Sequence, residues 1–156
     1  MKRILVFVTV VVLAMLVSGV LLAQSDPSIG TWKLNTAKSK FGSVPAPQSR
    51  TSKYEAQGNG VKVSTEGTAA DGSHVAYSYT ANYDGKDNPV SGTGAPYGAD
   101  TIALKRISPN TTEGTWKKAG KVVQTSRGVV SKDGKVRTMT GKGTDGTNIV
   151  LVYDKQ

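Results

Sequence analysis

Between Asn59 and Gly146 the sequence is cut at regular intervals by pairs that tolerate positive backbone φ: Asn59-Gly60, Asp71-Gly72, Asp84-Gly85, Asp133-Gly134 and Asp145-Gly146. A two-residue type I′ turn needs φ above zero at both central positions, which is why Asn-Gly and Asp-Gly serve there. Gly94-Ala95-Pro96, Pro109-Asn110 and Ala119-Gly120 fill the gap between the third pair and the fourth. A break therefore recurs roughly every 12 residues. A parallel crossover needs about a dozen residues of its own, so strands joined at this spacing run antiparallel to their predecessors. The pattern predicts a β-meander.

The segments between the breaks carry a strand period. Val75, Tyr77, Tyr79, Ala81 and Tyr83 alternate with His74, Ser78, Thr80, Asn82 and Asp84, and Val61, Val63 and Thr65 alternate with Lys62, Ser64 and Glu66. Such alternation gives a strand one apolar and one wet face. Ile149 to Tyr153 is apolar on both faces and reads as the most buried strand. Ten candidate strands result: 30–35, 50–57, 60–68, 73–84, 88–92, 100–108, 111–118, 121–132, 135–143 and 148–154. No convincing helical period interrupts them. A sheet of this size with one apolar face must close to hide its edges, so the expected fold is all-β, an antiparallel up-and-down β-barrel of about 8–10 strands. The proline-containing stretch 36–48 reads as an irregular crossing, with Phe41 placed to plug one end.

Closure also answers a problem of composition. The first 23 residues carry only two charges, Lys2 and Arg3, before an apolar run, which is the layout of a secretory signal peptide. The expected division is a signal at 1–23 and one domain at 24–156, although Ile4 to Ala23 is also long enough for an uncleaved anchor. Removing Lys2 and Arg3 lowers the formal net charge from +9 to +7. In the remainder only 20 residues are Leu, Ile, Val or Phe. That is about 15% of the domain, below the roughly 20% expected of chains that fold around a dry core. A barrel enclosing a cavity needs fewer apolar side chains. The chain has no cysteine, which excludes a disulfide framework, a thiol nucleophile and a cysteine-ligated metal. Export without cysteine fits a bacterial periplasm or exterior.

Gly30-Thr31-Trp32, within Asp26 to Leu34, resembles the Gly-x-Trp signature on the first strand of the calycins, the lipocalins and fatty-acid-binding proteins. Val150 to Lys155 is similar to the closing strand of fatty-acid-binding proteins, which reads Arg-x-Tyr-Glu-Lys; Tyr153 and Lys155 match, and Asp154 is a conservative replacement. The arginine that holds a ligand carboxylate in that family falls on Leu151 here. The stretch 36–48 is too short and too rich in proline for that family's two-helix lid. GTWKLN, KSKF, VVSKDGK and the Tyr-Asp-Lys ending together resemble the small exported bacterial lipocalin-like proteins of unassigned function. The resemblance implies a lipocalin-like barrel with an internal ligand site.

Tyr77, Tyr79 and Tyr83 share one strand face, and Trp116 is a candidate for the same interior, as core or as ligand wall. Arg106, Arg127 and Arg137 lie in strands otherwise apolar or small, where an inward arginine would replace the missing calycin arginine as an anion anchor. Arg106 is the preferred one, because it shares parity with Ile102 and Leu104. The expected ligand-binding set is therefore Tyr77, Tyr79, Ile102, Leu104, Arg106, Trp116, Leu151 and Tyr153.

Catalysis finds little support. His74 is the only histidine and falls on a polar strand face. Asp71, Asp84, Asp87, Asp133 and Asp145 lie in or beside turns, where they cap local backbone instead of converging in a cleft. Gly141 to Gly146 matches G-x-G-x-x-G but precedes a strand, so it reads as a hairpin. The expectation is an exported, non-catalytic, monomeric barrel holding a small apolar or amphipathic ligand, with no cofactor, metal or nucleic acid. The alternative is an envelope-associated interaction or inhibitor protein whose basic outer surface meets an anionic envelope component.

Overall fold

The computed structural model describes residues 26–156, so the expected signal segment 1–23 lies outside the described residues. The ten strands are β1 (Gly30–Leu34), β2 (Ser49–Gln57), β3 (Gly60–Thr68), β4 (His74–Asn82), β5 (Asp84–Thr93), β6 (Thr101–Ser108), β7 (Thr111–Lys118), β8 (Lys121–Val130), β9 (Val136–Gly143) and β10 (Asn148–Lys155). Each is antiparallel to its sequence neighbours, and β1 pairs with β10 to close the barrel. Short 3-10 turns at Thr36–Lys38 and Pro96–Gly98 are the only helical pieces among the described residues. The expected all-β up-and-down barrel is the observed fold.

In such a meander alternate loops share an end. The β1–β2, β3–β4, β5–β6, β7–β8 and β9–β10 connections lie at one end, and the remaining loops lie with Asp26 at the other. Burial follows the predicted period: Val61, Val63 and Thr65 on β3 and Val75, Tyr79 and Ala81 on β4 point inward.

The turns differ from expectation in detail, since none of the five Asn-Gly and Asp-Gly pairs takes positive φ at both positions. The β2–β3 turn is Gly58-Asn59, not Asn59-Gly60: Gly58 takes φ 55° and Gln57 pairs with Gly60. Gly60 is held inside the ladder because a Cβ there would lie 2.2 Å from the Ala81 carbonyl oxygen. Asp84-Gly85 is not a hairpin tip, since β4 ends at Asn82 and Asp84 already pairs with Lys105 of β6. Strands β4 and β5 pair only from Ala76–Thr93 to Tyr79–Val90. The weaker break, Ala119-Gly120, is the one with positive φ at both positions, 49° and 76°, and the Asp100 carboxylate accepts the Ala119 N–H at 2.8 Å.

The stretch after β1 is a strap along β10. β1 is only five residues long, and Lys40 takes up its role further on, exchanging backbone hydrogen bonds of 2.6 and 2.7 Å with Val150. That contact continues the β1–β10 ladder along the edge of β10, whose outward Val150 and Val152 are half-buried. Phe41 in the strap packs against the core cluster.

The end opposite the strap is tightly filled. Trp32 is fully buried, and its indole N–H donates to the Ser28 carbonyl at 2.8 Å. Lys155 crosses its ring at 5.1 Å, and a Cβ at residue 30 would lie 2.6 Å from the Lys155 Cε. The glycine of Gly-x-Trp is thus the space through which the lysine passes.

Candidate ligand cavity

A cavity of about 330 Å³ occupies the barrel interior toward the strap end. Its wall includes Tyr77, Tyr79, Trp116, Leu151 and Tyr153, five of the eight residues expected from the sequence. Trp116 is the centre of the aromatic wall. Tyr77 and Tyr79 both meet it edge-on, at centroid distances of 6.0 and 5.7 Å with rings 87° apart, the arrangement aromatic quadrupoles favour. Its indole N–H donates to the Ser126 hydroxyl at 3.3 Å.

Ile102 and Leu104 do not line the cavity. They are buried core under β7, where Gly114 leaves room for them: a Cβ there would lie 3.4 Å from Leu104 and 3.6 Å from Ile102.

Arg106 does not line it either. The parity with Ile102 and Leu104 holds, but Arg106 lies near the end of β6, just before a register shift, and its guanidinium reaches past the barrel wall to Asp26. There it also donates to the Pro109 carbonyl at 2.9 Å and stacks over Tyr83 at 3.9 Å. The Asp26 carboxylate accepts from the Ser28 hydroxyl at 2.5 Å, the Ser28 N–H at 2.9 Å and the Tyr83 hydroxyl at 2.8 Å. Burial acts to raise the Asp26 pKa, but the Ser28 and Tyr83 hydrogen bonds and the Arg106 charge outweigh it and hold the carboxyl below its ordinary value. Burial pushes the Tyr83 hydroxyl up to about 12. Arg106 clasps the Asp26–Ser28 segment onto the filled end. Arg127, on β8, is exposed and pairs with Glu113 at 2.9 Å.

The arginines that face the interior are Arg50 and Arg137. Arg50, on β2, lines the cavity, and its Nε is buried without a hydrogen-bond partner among the described residues. Arg137, on β9, is only 5% exposed; its guanidinium lies 4.1 Å over the Tyr54 ring, and its Nε and Nη1 have no partner. Gly128 across the ladder leaves room for it, since a Cβ there would meet Nη2 at 2.9 Å. Arg50 was missed because it sits at the very start of its strand, yet it shares parity with Ser52 and Tyr54.

The interior hydroxyls feel both charges. Burial raises the Tyr79 pKa well above 10.0, with Tyr54 and Tyr77 adding to the rise and Arg137 opposing it. Burial likewise raises Tyr77 and Tyr153, and Arg50 opposes the rise in both. Ser52 and Thr65 satisfy each other at 2.9 Å.

The mouth lies between the strap and the β5–β6 loop, where Val44 and Tyr97 line the cavity yet are 44% and 40% exposed. Tyr97 holds a positive φ of 51°, and its hydroxyl donates to Asp145 of the β9–β10 turn at 3.2 Å. Gly143 is required beneath it, as a Cβ there would meet the Tyr97 hydroxyl at 2.3 Å. His74 is exposed at the start of β4, and no cluster of metal-ligating side chains occurs among the described residues.

No protein-family model matches the chain, and no curated protein sequence does. Solved structures do. A structure titled REP1-NXSQ fatty acid transporter aligns over 82% of this chain and 95% of its own, at 15% identity and a TM-score of 0.56. The wild-type fluorescent protein UnaG aligns over 83% and 97%, at 15% identity and a TM-score of 0.59. A zebrafish ileal bile-acid-binding protein complexed with cholic acid aligns over 83% and 98%, at 13% identity and a TM-score of 0.50. The fold is that of the fatty-acid-binding-protein-like calycin barrels. At such identity the likeness is one of fold, and the chemistry of this calycin-like interior rests on its own residues.

Proposed function

We propose that the chain is an exported, non-catalytic carrier that holds a small amphipathic molecule inside the barrel, admitted between Val44 and Tyr97. The carrying observation is a cavity of about 330 Å³ walled by aromatic side chains and furnished with a few convergent polar groups. That mixture is what small-molecule sites use, apolar area for affinity and sparse polar groups for orientation. The thin apolar supply fits the same reading, because cavity space stands where core side chains would otherwise be needed. Two proteins of similar fold, a fatty acid transporter and a bile-acid-binding protein, support an apolar or amphipathic ligand. Export rests on Lys2, Arg3 and the apolar run that follows.

The test is displacement of anilinonaphthalene sulfonate, whose fluorescence rises in apolar surroundings, in the wild-type chain and in Met139→Trp, which fills the cavity from β9. The expected result is a loss of at least about tenfold in dye affinity with an unchanged circular dichroism spectrum. Equal binding in the filled variant, abolished by salt, would move the function to the basic outer surface.

A further inference from the structure

Among the described residues the interior carries two cationic side chains and no anionic one. Arg50 and Arg137 face inward from β2 and β9, and neither forms an ion pair with a carboxylate among the described residues. The strands' own acidic residues, Glu55, Glu66, Asp84, Asp87, Glu113 and Asp154, all stand at outer-face or exposed positions. A guanidinium keeps its charge across the pH range in which proteins fold, so neither group escapes burial by deprotonation. Buried charge without a partner is strongly unfavourable and persists where something else supplies the counter-charge.

The two cations also hold separate surroundings. Arg50 acts on the hydroxyls of Tyr77 and Tyr153, while Arg137 acts on Tyr79 and is covered on one face by Tyr54. Each has donors without partners: Nε in Arg50, Nε and Nη1 in Arg137. Met139, the next inward residue of β9 after Arg137, lines the cavity directly. Its flexible thioether is all that the strand places between Arg137 and the cavity wall. Neither arginine is on β10, where Leu151 occupies the position of the arginine that the family resemblance implied.

Building on the carrier reading above, we infer that the ligand is a dianionic amphiphile with acidic groups at both ends. One acid meets Arg50 beside the Tyr153 hydroxyl, the other displaces Met139 to meet Arg137, and the apolar middle lies against Trp116. Charge balance selects this class: Arg50 is half-buried at the cavity wall, and a single acid meeting it there would leave the fully buried Arg137 unpaired.

The experiment is isothermal titration of the domain with two series of matched chain length, octanedioate to tetradecanedioate and octanoate to tetradecanoate. At the best length the dianion is expected to bind about 10- to 100-fold tighter than its monoacid, the gain of one charge-assisted hydrogen-bond pair. Arg137→Met is expected to remove that advantage, and Arg50→Met to weaken both series. Because methionine replaces an unpaired buried cation, Arg137→Met is also expected to raise the melting temperature of the ligand-free protein, which keeps the comparison free of misfolding. Equal affinity of the two series at every length, or a dianion advantage that survives Arg137→Met, overturns the inference while leaving the carrier reading intact. Failure of both series to bind, with no dye displacement, overturns both.

Discussion

Two arginines in this barrel stack on tyrosine rings in nearly the same way, Arg106 on Tyr83 at 3.9 Å and Arg137 on Tyr54 at 4.1 Å, and both come from strand ends on the Asp26 side of the barrel, yet they serve different purposes. Arg106 has a carboxylate, Asp26, which is itself satisfied by Ser28 and Tyr83. Arg137 has none. The filled end therefore completes its electrostatics from within the chain and acts as a structural clasp, while the cavity leaves positive charge for an incoming molecule. Similar local packing does not imply a similar role; the presence of a counter-ion decides it.

The comparison can be broken by substitution. Trp32→Ala is expected to have the largest effect, a loss of about 3–5 kcal/mol in urea denaturation, because it opens a large void at the filled end and deletes the hydrogen bond to Ser28. The arginine pair should then separate in sign. Arg106→Met leaves Asp26 half-buried without its cation and should lower stability by about 2 kcal/mol, whereas Arg137→Met in the ligand-free protein should raise it by about 1 kcal/mol. Losses of equal size in the two variants would erase the distinction between clasp and binding group.

A smaller effect concerns acid. The folded-state pKa of Asp26 lies below its ordinary 3.8, so its contribution is fully present above that value and is lost as the pH falls through the lower, folded value. The exposed turn carboxylates Asp71, Asp133 and Asp145 are shifted in the same direction, the first two chiefly by a serine hydroxyl and Asp145 chiefly by the Thr147 N–H. Stability should be flat from neutrality to about pH 5 and decline below about pH 4. In Asp26→Asn the decline should be shallower, while binding to the cavity arginines should show no change from loss of their own charge over the same range.

Much of the architecture was legible in the chain. Antiparallel pairing, ten strands and closure all followed from turn spacing and alternation, because both are local properties of φ and of side-chain period. The two misread glycines have different causes. Gly60 is a glycine because the Ala81 carbonyl of the neighbouring strand passes too close for a Cβ, whereas Gly85 does take the positive φ, 75°, that marks a turn residue, but inside β5 and not at a hairpin tip. The aromatic wall was visible for a similar local reason, since Tyr77 and Tyr79 share a face and Leu151 and Tyr153 lie on the apolar closing strand.

The anion-binding arginine was not legible, and Arg106 and Arg137 show why. Both have inward parity, and parity is all that a single strand displays. What separates them is the reach of Arg106 past the barrel wall to Asp26, 80 residues away in the chain, while Arg137 stays buried inside. The sequence by itself determined the strands, their order and which faces turn inward, since backbone preference and the hydrophobic effect act residue by residue. Only the tertiary structure decided which inward cation meets a carboxylate and which is left for a ligand, because charge pairing depends on distances that exist only once the barrel has closed.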